Sequence, residues 1–373
     1  MGNRPGWMKK TTLGALGMAG LKVLVFAPAD TTGESHRKLE EAGCVLVLGE
    51  ASWHNPQGDN EDVMCRMAEG AVALKGTSIR SSPISRRIIE TSPGLRIVAK
   101  YTIGVDDVDV AAATENGVLV THSPTESNWG GVAEGTMTMM LAALKKTRER
   151  DRAMKDGLWR DPKLQGTYLG RRQDGWPGIT VGIIGLGRIG SRLADLLAPW
   201  RVRMIAYDPY VDLAKFVHHN VERVDLETLL ATSDVVTLHV TLTAETRHMI
   251  RTEHFAQMKP TALFINTARG WCVSEDDLFD AVDRDVIAGA AIDVFEDEPL
   301  DPQSPILGLG DKVLLSAHMI SSNQGSGIGP GVEWATRSVL TALAGEVPDN
   351  VFNKDVIPKW RERFSGSNIL NSR

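Results

Sequence analysis

The sequence predicts an α/β protein built from two doubly wound parallel-sheet domains, and three observations predict it. Short apolar, branched runs alternate with helical stretches along most of the chain, the pattern of parallel strands covered by helices. One such run, Val181–Ile184, leads directly into Gly185-Leu186-Gly187-Arg188-Ile189-Gly190, a G-x-G-x-x-G turn that opens a helix. The length, 373 residues, suits two domains better than one.

The glycine turn belongs to a complete unit. After it, Leu193, Leu196 and Leu197 follow helical spacing, Pro199 closes the segment, and a second run, Arg203–Tyr207, ends at Asp208, 23 residues past Gly185. Gly185 suits the tight turn, Gly187 the approach of a pyrophosphate to the backbone, and Gly190 the packing of helix on strand. The helix then offers free N–H groups and its positive end to phosphate. A carboxylate at Asp208 accepts from ribose hydroxyls and disfavours a 2′-phosphate. Its neighbours Pro209 and Tyr210 supply no cation, so NADH is expected over NADPH. A glycine turn alone often serves only as a turn; here strand, helix and acid agree.

Taken in order, the first half predicts strands at Val23–Ala27, Val45–Leu48, Ala71–Leu74 and Leu95–Ala99, with helices through Leu39-Glu40 and near Ser85–Glu90. It carries no phosphate fingerprint and is expected to face the substrate. Gly131–Lys155 reads as one long helix with Val132, Met137, Met140, Leu141 and Leu144 on one side, and Asp161–Gly178 as a connecting loop. Beyond the glycine unit, strands are expected at Val235–His239, Leu263–Asn266, Ile287–Ile292 and Val313–Ser316. After a glycine- and serine-rich loop at Ser321–Gly331, a helix over Val332–Ala344 and a tail to Pro358 are too short to fold alone, so they are expected to return to the first domain. The expected division is therefore 1–126 with 320–373 as a discontinuous substrate domain and 127–319 as the dinucleotide domain.

Composition narrows the function classes. The net charge is −6, from 41 basic and 47 acidic residues, with no basic stripe, which argues against nucleic acid. Cys44, Cys65 and Cys272 have neither metal nor disulfide spacing, which suits a reducing cytoplasm. His218-His219 look like a metal pair, but no spacing completes a site. Lys9-Lys10 followed by a glycine-broken apolar stretch makes a weak signal peptide, and Met1–Gly20 reads as a poorly ordered extension. No stretch is long and apolar enough to span a membrane as a helix.

Three later segments end strands in polar groups: Phe264–Gly270 with Arg269, Ala291–Pro299 with three acids, and Leu314–His318. Ligands of open α/β sheets bind outside the carboxyl ends of strands, so an arginine, a glutamate and a histidine can meet beside a nicotinamide. Reduction of a 2-oxo acid needs those types: a planar fork of donors for the carboxylate, an acid for the forming alkoxide, and a carboxylate to orient the imidazole. Singly, each has a plain alternative. Arg269 could be a surface ion-pair partner, Glu298 part of a solvated loop, and His318 a structural histidine.

The chain from Leu21 to about Pro358 resembles the D-isomer-specific 2-hydroxyacid dehydrogenases, through GLGRIG at Gly185–Gly190, NTARG at Asn266–Gly270, DVFEDEPL at Asp293–Leu300, the histidine of SAHM at Ser316–Met319, and DNVFN at Asp349–Asn353. The resemblance implies a Rossmann NAD-binding domain beside a flavodoxin-like discontinuous substrate domain. It assigns Arg269 to the substrate and His318 as acid or base. Glu298, 29 residues after Arg269, supports that histidine in preference to Glu296. The resemblance also places Asp293 and the Thr267–Ala268 backbone beside the nicotinamide carboxamide, Arg188 and Ile189 at the pyrophosphate, and the loop Thr102-Ile103-Gly104 beside the substrate. A small 2-oxo or 2-hydroxy acid is the implied substrate, and a homodimer formed through the cofactor domain the implied assembly.

Several positions depart from the family pattern. Thr102 replaces the first glycine of a G-x-G-x-D loop, and Met319-Ile320-Ser321-Ser322 follow the histidine where small residues are usual. Trp129, Trp271 and Trp334 could line a pocket for a larger acid, though core packing is the expected role of each. Lys75, at a strand end, could meet a second anionic group, with an exposed lysine as the plainer alternative. Two rival functions fit the same motifs: a dehydrogenase of an unusual acid such as phosphite, and an NAD-sensing corepressor-like binding protein with little turnover.

Overall fold

The computed structural model describes residues 20–51, 58–77, 83–323 and 328–370. The expected extension over Met1–Gly20 lies, apart from Gly20, outside the described residues. Two parallel sheets organise the chain. The first has the order β2-β1-β3-β4-β5, with β1 at Leu21–Ala27, β2 at Cys44–Leu48, β3 at Ala71–Gly76, β4 at Ile97–Lys100 and β5 at Leu119–Thr121. This is the flavodoxin-like order, reversing once between β1 and β3. Val23–Ala27 are all buried because helices cover both faces, and a strand buried on both faces has no polar side to alternate with.

One face of this sheet is closed by the chain's C-terminal part. Helix Gly329–Leu343 places Val332, Ala335, Val339 and Ala342 against Val23, Ala73, Ile97 and Ala99. Trp360, fully buried, donates from Nε1 to the Arg96 carbonyl at 2.9 Å. Asn353 accepts from Val120 N at 2.8 Å and donates to the Val118 carbonyl at 3.0 Å, fastening the tail along β5.

The second sheet has seven strands in the order β12-β11-β10-β9-β6-β7-β8. They are β6 (Thr180–Ile184), β7 (Arg203–Tyr207), β8 (Glu222–Arg223), β9 (Val235–Leu238), β10 (Leu263–Asn266), β11 (Gly289–Ile292) and β12 (Val313–Leu315). The order reverses between β6 and β9; the expected strands form the sheet from its β12 edge through to β7. The edge strand β8 was not expected, since two charged residues carry no hydrophobic pattern.

The long helix expected over Gly131–Lys155 is two helices. The first, Glu126–Lys145, starts earlier; the second runs over Thr147–Lys155, with Lys146 between them in the left-handed region at φ 52°. The first helix carries buried Ala133, Met139 and Met140 against the second sheet. From Thr147 to Arg152 every residue is polar, so nothing continues the buried stripe and the chain turns off the core.

Candidate active site

The dinucleotide side of the site begins at the carboxyl end of β6. Gly185 has φ 93°, accessible only to a residue without a Cβ penalty, and a Cβ on Gly190 would stand 2.2 Å from the Gly185 carbonyl oxygen. Gly187 differs from both. Its φ is −72°, and a Cβ there would meet no protein atom within 4 Å. Neither the fold's backbone nor its packing requires glycine at 187, so what it keeps open is the space above helix Arg188–Leu197, whose N-terminus has no side-chain cap. That bare, uncapped start fits a pyrophosphate.

Asp208 closes the other end of this unit. Its Oδ2 accepts from Leu186 N at 2.9 Å and its Oδ1 from Tyr210 N at 2.9 Å, fixing the carboxylate at the mouth of a cleft of about 540 Å³. Tyr207, Pro209, Val224, Asp225 and Thr228 line the cleft, and so does Arg223. Along the chain no cation directly follows Asp208, only Pro209 and Tyr210. Arg223 reaches the same cleft across the sheet, where β8 pairs it with Ala206 of β7.

Around the reacting centre, His318 Nδ1 lies 2.8 Å from Glu298 Oε2, while Glu298 Oε1 accepts from Phe295 N at 3.0 Å. The glutamate is thereby tied to its own strand-end turn as well as to the imidazole. Glu296 faces elsewhere: it accepts from Glu275 N at 3.0 Å, and its Oε1 stands 3.0 Å from His248 Nε2. His318 has φ 54°, a rare backbone state for a side chain of its size. Buried Asp293 holds that turn, accepting His318 N on its carbonyl at 2.7 Å and Met319 N on its carboxylate at 2.9 Å. Burial pushes the Asp293 carboxyl above the usual aspartate range, and the bonds it accepts oppose this.

Arg269 reaches the site from the turn after β10. Asn266 shapes that turn, accepting from Ala268 N and donating to the Arg269 carbonyl, both at 3.0 Å. Thr267 is buried, its hydroxyl 2.8 Å from that of Thr136. The guanidinium donates from Nε to Asp106 Oδ2 at 2.7 Å and from Nη1 to the Ala268 carbonyl at 2.7 Å. Asp106 and Asn266 were not singled out in the sequence, although both stand inside quoted motifs. The loop carrying Asp106 is the expected substrate loop: Thr102 donates its hydroxyl to the Gly104 carbonyl at 3.1 Å, and the Ile103 carbonyl lies 3.3 Å from His122 Nδ1. The structure thus brings Thr102, Ile103, Gly104 and Arg269 into one neighbourhood across the two sheets.

Lys75 does not join them. It is fully buried inside the first domain, donating from Nζ to the hydroxyls of Ser35 and Thr336, so it is neither the exposed lysine nor the open anion-binding group expected. Its strand is central and both faces are covered. The tryptophans also depart from expectation: Trp129, Trp271 and Trp334 are half-buried and belong to none of the hydrophobic core clusters. Trp271 stacks on His248 with ring centres 5.4 Å apart and lies 3.9 Å from the Arg247 guanidinium. Of the bulky residues after His318, Met319 is exposed, and Ile320 packs where a Cβ on Gly135 would come within 2.2 Å of it. His219 pairs with Asp195 at 2.7 Å, and among the described residues no group of three His, Cys, Asp or Glu side chains could hold a metal. Among the same residues no helix is long and apolar enough to cross a membrane.

Comparison with known proteins gives the site its context. Residues 137–319 match the model of the D-isomer specific 2-hydroxyacid dehydrogenase NAD-binding domain. The chain is 36% identical over 310 residues to a glyoxylate reductase of Korarchaeum cryptofilum, covering 82% of this chain and 90% of that protein. It is 36% identical to a D-3-phosphoglycerate dehydrogenase of Methanocaldococcus jannaschii, covering 91% of this chain and 60% of that longer one. Among solved structures, the TT0316 protein of Thermus thermophilus superposes with a TM-score of 0.74 at 30% identity, over 89% of this chain and 100% of that one. The two-sheet fold, the match to the NAD-binding domain and the extent of these likenesses place the chain in the D-isomer specific 2-hydroxyacid dehydrogenase family, as an NAD-dependent oxidoreductase that acts on the CH–OH group of its donor.

Proposed function

We propose that the protein interconverts a small 2-oxo acid and its D-2-hydroxy acid, with NADH preferred over NADPH, and that His318, Glu298 and Arg269 carry the reaction. The observation behind this reading is the 2.8 Å contact between His318 Nδ1 and Glu298 Oε2, which orients an imidazole at the carboxyl ends of the second sheet. With Nδ1 held, proton exchange with the substrate oxygen falls to Nε2. Arg269 pairs with the substrate carboxylate through its guanidinium fork, and the backbone of Thr102–Gly104 lines the same group. The nicotinamide, when bound, supplies or accepts the hydride at the carbonyl carbon.

The cofactor is held by the uncapped helix after Gly187, by Arg188, Ile189 and Gly190 at the pyrophosphate, and by Thr267, Ala268 and Asp293 beside the carboxamide. The preference for NADH rests on charge: Asp208 and Asp225 line the adenosine cleft against the one cation Arg223, so a 2′-phosphate meets more repulsion than attraction. The substrate domain is taken as 1–126 with 320–373, and 127–319 as the cofactor domain. The exposed apolar side chains of Met154, Leu158, Trp159 and Tyr168, all near the helix Thr147–Lys155, suit a homodimer contact.

The test is a 340 nm assay with glyoxylate, hydroxypyruvate, pyruvate and phenylpyruvate, each with NADH and with NADPH. Oxidation of NADH by one of them, reduced about 10²–10⁴-fold in His318→Ala with NADH affinity unchanged, is the expected result. Tight NADH binding without turnover on any acid, or a fully active His318→Ala, overturns the reading.

A further inference from the structure

The contact between Arg269 and Asp106 joins the two sheets at the substrate side, and nothing in the proposed chemistry has yet used it. Arginine has five N–H donors. One, on Nε, goes to Asp106 and one, on Nη1, to the Ala268 carbonyl. The remaining three lie on Nη1 and Nη2, the pair that makes a fork for a carboxylate. Both partners are three-quarters buried, at 23% and 28% side-chain exposure, so the charge-assisted bond is shielded from much of the solvent that weakens surface pairs.

The loop that carries Asp106 is fixed from below. Asp107 makes a wholly buried ion pair with Lys100 at 2.5 Å, and Lys100 also donates to the Thr77 carbonyl at 3.0 Å. Two residues before Asp106, Gly104 leaves the room that the guanidinium fills, since a Cβ there would stand 1.9 Å from Arg269 Nη2. The first domain therefore offers a socket, with bare backbone at 104 and a carboxylate at 106, and the second domain supplies the arginine that enters it.

Resting on the reading of Arg269 as the substrate-binding cation, we propose that Asp106 is a positioning residue. It holds Nε of Arg269 so that the Nη1/Nη2 fork faces the substrate carboxylate, and the cation is correctly aimed only when the two domains meet. The arginine is in this sense assembled from both domains.

Asp106→Ala, Asp106→Asn, Arg269→Lys and the double variant Asp106→Ala/Arg269→Lys test this, with glyoxylate as substrate and oxamate as a non-reacting probe titrated onto the NADH complex by fluorescence. Asp106→Ala is expected to raise the glyoxylate KM and the oxamate Kd by at least about tenfold, with kcat less affected and NADH Kd within about twofold of the parent. Asp106→Asn, which keeps an acceptor oxygen, recovers part of the loss. The double variant falls no further than Arg269→Lys alone, because without the fork there is nothing left to aim. Unchanged oxamate affinity in Asp106→Ala, beside a weakened Arg269→Lys, overturns the inference alone. The same holds for an Asp106→Ala effect that persists in full on the Arg269→Lys background, or for losses in both Asp106 variants that match a fall in melting temperature and in NADH binding. An Arg269→Lys protein that binds oxamate and turns over glyoxylate normally overturns the reading of the arginine, and the inference with it.

Discussion

The two sheets each reverse their strand order once, and beside each reversal a helix begins, but the two helix starts are used in opposite ways. In the first sheet, α1 (Glu34–Glu41) follows β1, and Asp30 accepts hydrogen bonds at its start from Gly33 N at 2.9 Å, Ser35 N at 2.8 Å and His36 N at 3.3 Å. In the second, α2 (Arg188–Leu197) follows β6 with glycine at its cap position and no side-chain acceptor. A helix N-terminus attracts an anion in either case. Both helices have glycine at the cap position, Gly33 and Gly187; where the preceding turn supplies a carboxylate, as Asp30 does, the place is filled, and at Gly187 a phosphate can take it. The fold alone thus does not decide which sheet holds a dinucleotide; the carboxylate of the turn before the helix does.

The sharpest way to break this comparison is to give the second helix a carboxylate of its own. Gly187→Asp should fold normally, since the backbone there is at φ −72° and a Cβ meets no protein atom within 4 Å. Aspartate is a somewhat better N-cap than glycine, so thermal stability should hold or rise by about 0.3 kcal/mol. NADH affinity should fall on the order of 100-fold, because a fixed carboxylate now occupies and repels the pyrophosphate position. Fluorescence titration beside a thermal melt reads both, and an unchanged NADH Kd would show that the phosphates do not sit at this helix.

How much of this was legible beforehand depends on how far apart the partners lie in sequence. The unit from Val181 to Asp208 could be read as a whole because strand, turn, helix and acid follow one another within thirty residues or so. Arg223 could not, since it comes beside Asp208 only through the pairing of β7 with a charged edge strand that has no apolar signal. The burial of Lys75 was hidden for a similar reason: its hydroxyl partner Thr336 lies on a helix 261 residues further along. Asp106 stood in plain view within the substrate loop, but its link to Arg269 is a contact between domains, which no local pattern records. The break at Lys146 marks the limit of periodicity, which continues to read as helix in a polar run after the reason to stay on the core has ended.

A smaller effect is expected from emptying the first helix start. Burial pushes the Asp30 carboxyl up, but hydrogen bonds from the side chain and backbone of Thr32 and from the backbone of His36 and Gly33 outweigh it, and the group sits below its ordinary 3.8. A depressed carboxylate stabilises the fold above its unfolded pKa, and that contribution is lost as the pH falls through the folded value. Asp30→Ala should therefore cost about 1–2 kcal/mol at neutral pH, leave NADH binding alone, and differ less from the parent as the pH drops below about 4. A loss of stability that stayed constant down to strongly acid pH would mean that the carboxylate's charge is not what holds α1.

Lys75 completes the closure of the first reversal, and it gives the finest test of the difference. Burial lowers its pKa from 10.5 to about 7, partly opposed by the charge of Asp30. Between those two values the unfolded chain binds a proton that the folded chain has shed, so this group makes stability rise with pH there; at lower pH its desolvation weighs on the fold in full. Lys75→Met keeps most of the volume and removes the titration. The two hydroxyls left behind already serve each other, Ser35 Oγ lying 2.6 Å from Thr336 Oγ1, which in turn donates to the Val332 carbonyl at 2.6 Å, so no buried polar group is stranded. The variant should melt a few degrees higher than the parent near pH 6, at roughly 2–4 °C per kcal/mol, with the gain shrinking toward pH 10. If the gain were the same at both pH values, or turned into a loss, the ammonium would be a welcome occupant of the first sheet's reversal, and that crevice would be closed by charge rather than by packing.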